Sequence, residues 1–360
     1  MKFGLMTQLQ IPRPAVPHAE QDAYENAIEQ AVAGEDAGFD YYWLTEMHFF
    51  KQIGHSPCPD LLHAAISQRT CRIRLGFAVM LLTTHNPFML AERIATADLL
   101  SKGRVDFGFG RGSTPYMIEA FGVTKEDSMA VANEALAAVM QMFESEHFAG
   151  FKGKHFDLPP RHVLPRPIQT PHPPLWIAAS NLSTYEYAAK QGVGIIGVTR
   201  NSIAETRSAI RTYRETIRSA DPKGFVGKTA NEHVAAFALA CCHEDDRTGK
   251  DIACAAARWY NGDNDCELNS VRFATAGGKD AVVAKFRARS NDQLLADGMA
   301  LGGNPDSICR QVEQWAEAGL DQMIFVLQAG NTEHEQVLRA IELIGEKVIP
   351  RFQVRAPAAA

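Results

Sequence analysis

Three short clusters hold side chains able to do chemistry: Glu46-Met47-His48, Arg111-Gly112-Ser113-Thr114, and the run from Ser180 and Asn181 to Ser183 and Thr184. A histidine exchanges protons near neutral pH, and a carboxylate two residues earlier can orient it, so Glu46 and His48 read as an acid/base pair. The same two residues would also make an ordinary polar loop. Arg111 sets a cation beside flexible backbone and hydroxyls. Ser180, Asn181, Ser183 and Thr184 stand where a helix begins, and free N–H groups there attract anions. The second and third clusters together suit a phosphate. The plainer alternatives are an ion pair for Arg111 and a simple helix cap for Ser183.

Other groups carry less. His147, His155, His162 and His172 fall in a Gly-, Pro- and His-rich stretch and are expected at the surface. His243-Glu244-Asp245-Asp246 reads as a solvated turn without metal-ligand spacing, so no metal site is expected. Gly108, Gly110 and Gly112 follow a strand-like run but break the spacing of the dinucleotide fingerprint. The 7 cysteines include no C-x-x-C pair, which favours reduced thiols in a cytoplasmic protein over a disulfide scaffold. The N-terminus, with Gln8, Gln10 and Pro12 breaking its apolar stretch, does not read as a signal peptide. Apolar residues make up 46% and charged residues 22%, enough to build a core. A net charge of −6 with both signs interspersed argues against a nucleic-acid partner. No apolar run is long enough to suggest a membrane span.

Something must hold the three clusters together, and the alternation of elements says what. Buried strands are expected at 2–8, 41–45, 73–81, 104–110, 174–179, 193–198, 233–242 and 320–328, with helical spacing between them. Asn86-Pro87 is expected to open a helix, and Ser183-Thr184-Tyr185-Glu186 has the form of a capping box. Eight strands alternating with helices predict one (β/α)8 TIM barrel over residues 1–360. An excursion (149–174) follows the fourth helix. A long, weakly periodic segment after the seventh strand (260–303) reads as a mobile loop, and the C-terminal Ala-Pro-Ala-Ala-Ala as a frayed tail. Such barrels place their chemistry at the C-terminal strand ends. That rule selects Glu46 to His48, Thr83 to Asn86, Arg111 to Ser113, and Ser180 to Thr184.

Longer stretches then point to a family. EDAGFDYYWLTEMHF (35–49), IRLGFAVMLLTTHNPFMLAERIATADLLSKGRVDFGFGRG (73–112), PPLWIAASNLSTYEYAAKQG (173–192) and GNPDSICRQVEQWAEAGLDQMIF (303–325) resemble the bacterial-luciferase-like flavin monooxygenases, above all the luciferase alpha subunit. The resemblance spans nearly the whole chain in order. It implies a barrel that takes reduced FMN from a separate flavin reductase and uses O2 to oxygenate a small-molecule substrate. Arg111 would meet the FMN phosphate, with Ala179, Ser180, Asn181 and Thr184 completing that site. Ala78-Val79 matches the place where the family often carries a non-prolyl cis peptide beneath the flavin ring. The segment 260–303 would shield the reduced flavin from water. Pairing into a homodimer or heterodimer, through helices beside the second and third strands, is also implied.

Two positions depart from the pattern. The family commonly has Glu-His-His where this chain has Glu46-Met47-His48, and luciferase has a cysteine where this chain has Gly110. A thioether moves no proton. His48 then takes over the acid/base task, or Met47 joins Phe49, Phe50 and Met80 as an apolar wall of the substrate pocket. A deazaflavin-dependent hydride-transfer enzyme and a flavin-binding protein without catalysis share the same resemblance.

Overall fold

Continuous apolar runs need cover on both faces, and a closed ring of strands inside a ring of helices provides it. The computed structural model describes residues 1–353 apart from 12, 52, 113, 180, 264–268, 270–272 and 274–276. Eight parallel strands form the ring: β1 (Lys2–Thr7), β2 (Tyr41–Leu44), β3 (Arg74–Phe77), β4 (Val105–Gly110), β5 (Leu175–Ala179), β6 (Gly194–Val198), β7 (Val234–Cys242) and β8 (Gln322–Val326). Each pairs with the next in chain order, and β8 closes on β1 with Lys2 opposite Gln322. This is the expected (β/α)8 barrel.

Side-chain alternation sorts each strand into two packing layers. Tyr42, Leu44, Met323 and Phe325 belong to the cluster shared with the outer helices. Tyr41, Trp43, Ile324 and Val326 belong instead to the interior cluster. There Trp43 meets Trp176 edge to face at 5.3 Å and stacks on Tyr41 at 5.5 Å. The Trp176 ring N–H donates to Asp106 Oδ1 at 2.8 Å, and Arg74 pairs with the other oxygen at 2.5 Å. Large side chains therefore fill the barrel near the strand N-termini and leave the C-terminal ends open for a site.

Local signals set several helix starts. Asn86 accepts from the Phe88 N–H at 2.9 Å, with Pro87 in the first turn of helix Pro87–Leu100. The expected capping box at Ser183 does not form. The backbone at Leu182 is already helical, so Ser183 is the first residue of helix Ser183–Gln191 and not its cap.

Four expectations are refined. The run 73–81 is two strands, because a cis peptide at Ala78-Val79 separates β3 from a two-residue strand, Met80–Leu81. The excursion begins two residues earlier than expected, at His147, with two antiparallel pairings, His147–Phe148 with Arg161–His162 and Phe151–Lys152 with Asp157–Leu158. His172 is buried rather than at the surface, because its Nε2 accepts from the Lys228 N–H at 3.1 Å. Helix Asp246–Tyr260 follows β7 directly. The segment 260–303 then holds helices Lys279–Arg287 and Asn291–Ala296 and strand Leu301–Gly303, which pairs with the end of β7. Residues 264–268, 270–272 and 274–276 of that segment, and the C-terminal tail, lie outside the described residues.

Candidate active site

The site is built on the break in the third strand. Past Phe77 the cis Ala78-Val79 peptide redirects the chain, and Met80–Leu81 resumes pairing with β4, Leu81 opposite Gly110. The neighbouring glycines make room for this path. A Cβ at Gly108 would stand 1.9 Å from the Phe77 carbonyl oxygen, and one at Gly110 would stand 2.7 Å from Val79 Cγ2. The glycine run thus serves strand packing and not a phosphate loop.

Glu46, at the end of β2, ties this break in place. Its backbone N–H donates to the Val79 carbonyl at 3.2 Å. Its carboxylate is fully buried and both oxygens are engaged. His48 Nε2 lies 2.8 Å from Oε1, and the Thr84 hydroxyl donates to the same oxygen at 2.7 Å. His85 Nε2 lies 2.9 Å from Oε2, which also accepts the Leu81 N–H at 2.9 Å. Burial alone would raise this carboxyl; the hydrogen bonds from His48, His85 and Leu81 outweigh it and lower it to about 2. Glu46 is therefore a fixed anion that orients two imidazoles.

Across the barrel mouth the charge is handled differently. Arg111 follows β4 and donates to the Ser128 hydroxyl at 3.0 Å. Among the described residues no carboxylate pairs with it. Arg111, Asn181, Ser183 and Thr184 border one cavity of about 490 Å³, whose remaining walls include Ala78, Val79, Leu81, Phe109 and Ile177. Helix Ser183–Gln191 opens at this rim, so its first-turn dipole adds to the positive field. Gln8 and Thr45 border the same cavity, and Gln8 Oε1 and Thr45 Oγ1 are buried without a hydrogen-bond partner among the described residues. Orphaned polar atoms on a cavity wall are costly unless a ligand satisfies them. The cavity thus offers a cationic rim, apolar walls and unused polar partners.

Residues 1–322 match the family model for luciferase-like monooxygenases. The chain belongs to that family. A solved structure of the monooxygenase RslO1 from Streptomyces bottropensis shares the fold with a TM-score of 0.80 at 26% identity, covering 98% of this chain and 100% of that one. An F420-dependent glucose-6-phosphate dehydrogenase of Amycolatopsis mediterranei is 26% identical over 93% of this chain and 96% of its own length. The oxygenase component of the flavin-dependent trigonelline monooxygenase of Acinetobacter baylyi is 25% identical over 54% of this chain and 53% of its own. Relatives within the luciferase-like family thus include both flavin-dependent monooxygenases and F420-dependent oxidoreductases.

In this luciferase-like barrel the residues singled out from sequence divide between places. Glu46, Met47, Ala78, Val79, Arg111, Asn181 and Thr184 share the cavity. Ala179 is buried beside it, while its neighbour Ala178 reaches the wall. Ser180 and Ser113 lie outside the described residues. His48, Phe49 and Phe50 border a separate groove on the far side of Met47. Met80 is not a pocket residue: strand alternation turns Leu81 inward and packs Met80, 0% exposed, among the outer-layer side chains. Sequence reasoning missed Gln8, Thr45, Asn133 and Tyr187, and the tie of His85 to Glu46. Gln8 and Thr45 stand at the ends of β1 and β2, so the strand-end rule could have found them. His85 falls within the selected Thr83 to Asn86 stretch, but nothing local ties it to Glu46.

Proposed function

We propose that the protein is the oxygenase of a two-component system, in which FMN reduced by a separate reductase binds at the barrel mouth and O2 oxygenates a small organic substrate. The observation that carries this reading is Arg111, a cation without a carboxylate partner among the described residues, on the rim of a cavity of about 490 Å³. That volume lies within the usual range for a small-ligand site, roughly 300–1,000 Å³. Arg111, Asn181 and Thr184 would hold the phosphate. Ala78 and Val79 would border the ring, and Gln8 and Thr45 have polar atoms free to bond a heterocycle. FMN, when bound in its reduced form, supplies the electrons that activate O2.

The chain's own residues then do three things. Leu81, Leu82, Phe109, Met117, Leu136 and Ile177 keep the cavity walls apolar and exclude water. Glu46 holds the Ala78-to-Leu81 backbone and orients His48 and His85. Because Met47 moves no proton, acid/base work falls to the His48–Glu46 pair. Exposed Leu61, Met89, Leu99 and Leu100 on the helices after β2 and β3 support assembly with a second subunit through that face.

The F420-dependent relative keeps hydride transfer as a second reading, since a phosphate-bearing deazaflavin would use the same cation. Anaerobic titration with reduced FMN and with reduced F420, followed by exposure to 18O2 with a panel of candidate substrates, separates the two. The expected result is tighter binding of FMN and label in the product. Preferential F420 binding with substrate oxidised or reduced anaerobically would overturn the oxygenase reading.

A further inference from the structure

On the far side of Met47 from the cofactor cavity lies a second hollow of about 480 Å³, bordered by Tyr24, His48, Phe49, Phe50, Lys51 and His55. Met47 borders both spaces. Gly54 makes room for it, since a Cβ there would stand 2.7 Å from Met47 Cγ. The two spaces also meet through one hydrogen bond: Glu46 borders the inner cavity, His48 the outer hollow, and they are 2.8 Å apart.

Phe49 on the wall of this hollow continues into further exposed aromatic rings just beyond it. Phe49 is 51% exposed, Tyr116 45% and Phe121 39%. Their rings form one continuous array, with centroid distances of 6.4 Å for Phe49–Tyr116, 6.0 Å for Phe49–Phe121 and 5.0 Å for His48–Phe121. Phe49 holds a φ of 67°, an uncommon conformation for a bulky residue, and it displays this ring to solvent at the hollow's edge.

We infer that this hollow is a substrate chamber for a planar aromatic molecule, with Met47 as the partition that limits how much of it reaches the cofactor cavity. The inference rests on the inner cavity being the flavin site. Exposed phenyl and phenol rings offer stacking and edge contacts that an aromatic guest gains and an alkyl guest does not. The Met47 thioether presents a polarisable contact for a ring at the inner end. His48 and Lys51 offer hydrogen-bonding groups at the rim for a ring hydroxyl, whereas His55 is already held by Glu20 and the Lys51 carbonyl, and the Glu20 carboxylate disfavours an anionic guest. An aryl substrate seated here would have its inner edge at Met47, next to the flavin site, and its hydroxyl near the His48–Glu46 pair.

Calorimetric titration of 2-naphthol into the full-length protein, with and without saturating FMN, tests the chamber. The expected result is 2-naphthol binding in both states with affinities agreeing within about twofold, since separate sites add independently. Phe49→Gly removes the ring and suits the positive φ; it should weaken 2-naphthol about fivefold and leave FMN affinity unchanged. Met47→Ala opens the partition, and the longer 2-anthrol should then gain on 2-naphthol by about fivefold. Displacement of 2-naphthol by FMN from the unsubstituted protein, or equal affinity in Phe49→Gly, would overturn the chamber. So would cyclohexanol binding as tightly as 2-naphthol. Loss of FMN binding with the Phe49 dependence intact would strike the cofactor reading alone.

Discussion

The two sides of the cavity treat charge in opposite ways. On the β2–β3 side the Glu46 carboxylate accepts from four groups, and both its oxygens are in use. On the β4–β5 side Arg111 spends one donor on a neutral hydroxyl. A buried anion with filled lone pairs is already compensated and can only hold its partners in position. A cation with one neutral partner keeps donors for an incoming anion, and no charge must be stripped from it first. The same cavity thus has a rigid, self-satisfied side and a receptive one.

The largest effect should come from breaking the satisfied side. Glu46→Ala leaves His48, His85, Thr84 and the Leu81 N–H without their acceptor, and the loss should be about 3–5 kcal/mol by urea denaturation. Acid offers an independent check. The folded carboxyl, lowered to about 2, lies below its ordinary 4.5, so its stabilisation is complete above 4.5 and disappears as pH falls through 2. The deficit of Glu46→Ala should therefore shrink between those values. A deficit that stayed constant with pH would mean that lost packing, and not the charge, explains it.

The receptive side predicts the reverse profile. Arg111→Ala should weaken FMN roughly 10- to 100-fold, since a hydrogen bond to a charged group contributes about 1.5–3 kcal/mol. The urea midpoint should barely move, because among the described residues only the bond to Ser128 is lost from the free protein. If stability fell and FMN affinity held, Arg111 would be a scaffold residue and the contrast between the two sides would collapse.

This contrast was only half visible in the sequence. Apolar runs gave all eight strands, and Asn86-Pro87 gave a helix start, because burial and capping are local preferences written in residue types. The cation side was legible for the same reason: Arg111 and Thr184 each follow a strand end. The hub around Glu46 was legible only in part: the pairing with His48 could be read two residues away, but the link to His85 could not. Glu46 and His85 are separated by 39 residues, and they meet only because β2 lies next to β3. The break at Ala78-Val79 carries no composition signal either, since two small apolar residues fit an ordinary strand. The neglected helix at Asn291–Ala296 is a different kind of miss. Ser290 and Gln293 form a reciprocal cap there, a spacing that periodicity alone overlooks.

The smallest effect tests whether the two sides are independent. Asn86 stands next to His85 and caps helix Pro87–Leu100 through the Phe88 N–H. Asn86→Ala should cost about 1 kcal/mol, the usual loss for a helix N-cap. Fraying that first turn loosens the backbone that carries His85, so the His85 imidazole resonances should shift by NMR. Those of His48 should not, because His48 reaches Glu46 from the separate loop after β2. FMN affinity should also stay where it was, since no hydrogen bond links Asn86 to the Arg111 rim among the described residues. A fall in FMN affinity in Asn86→Ala would mean that the carboxylate hub also shapes the phosphate side, and that the cavity works as one coupled unit.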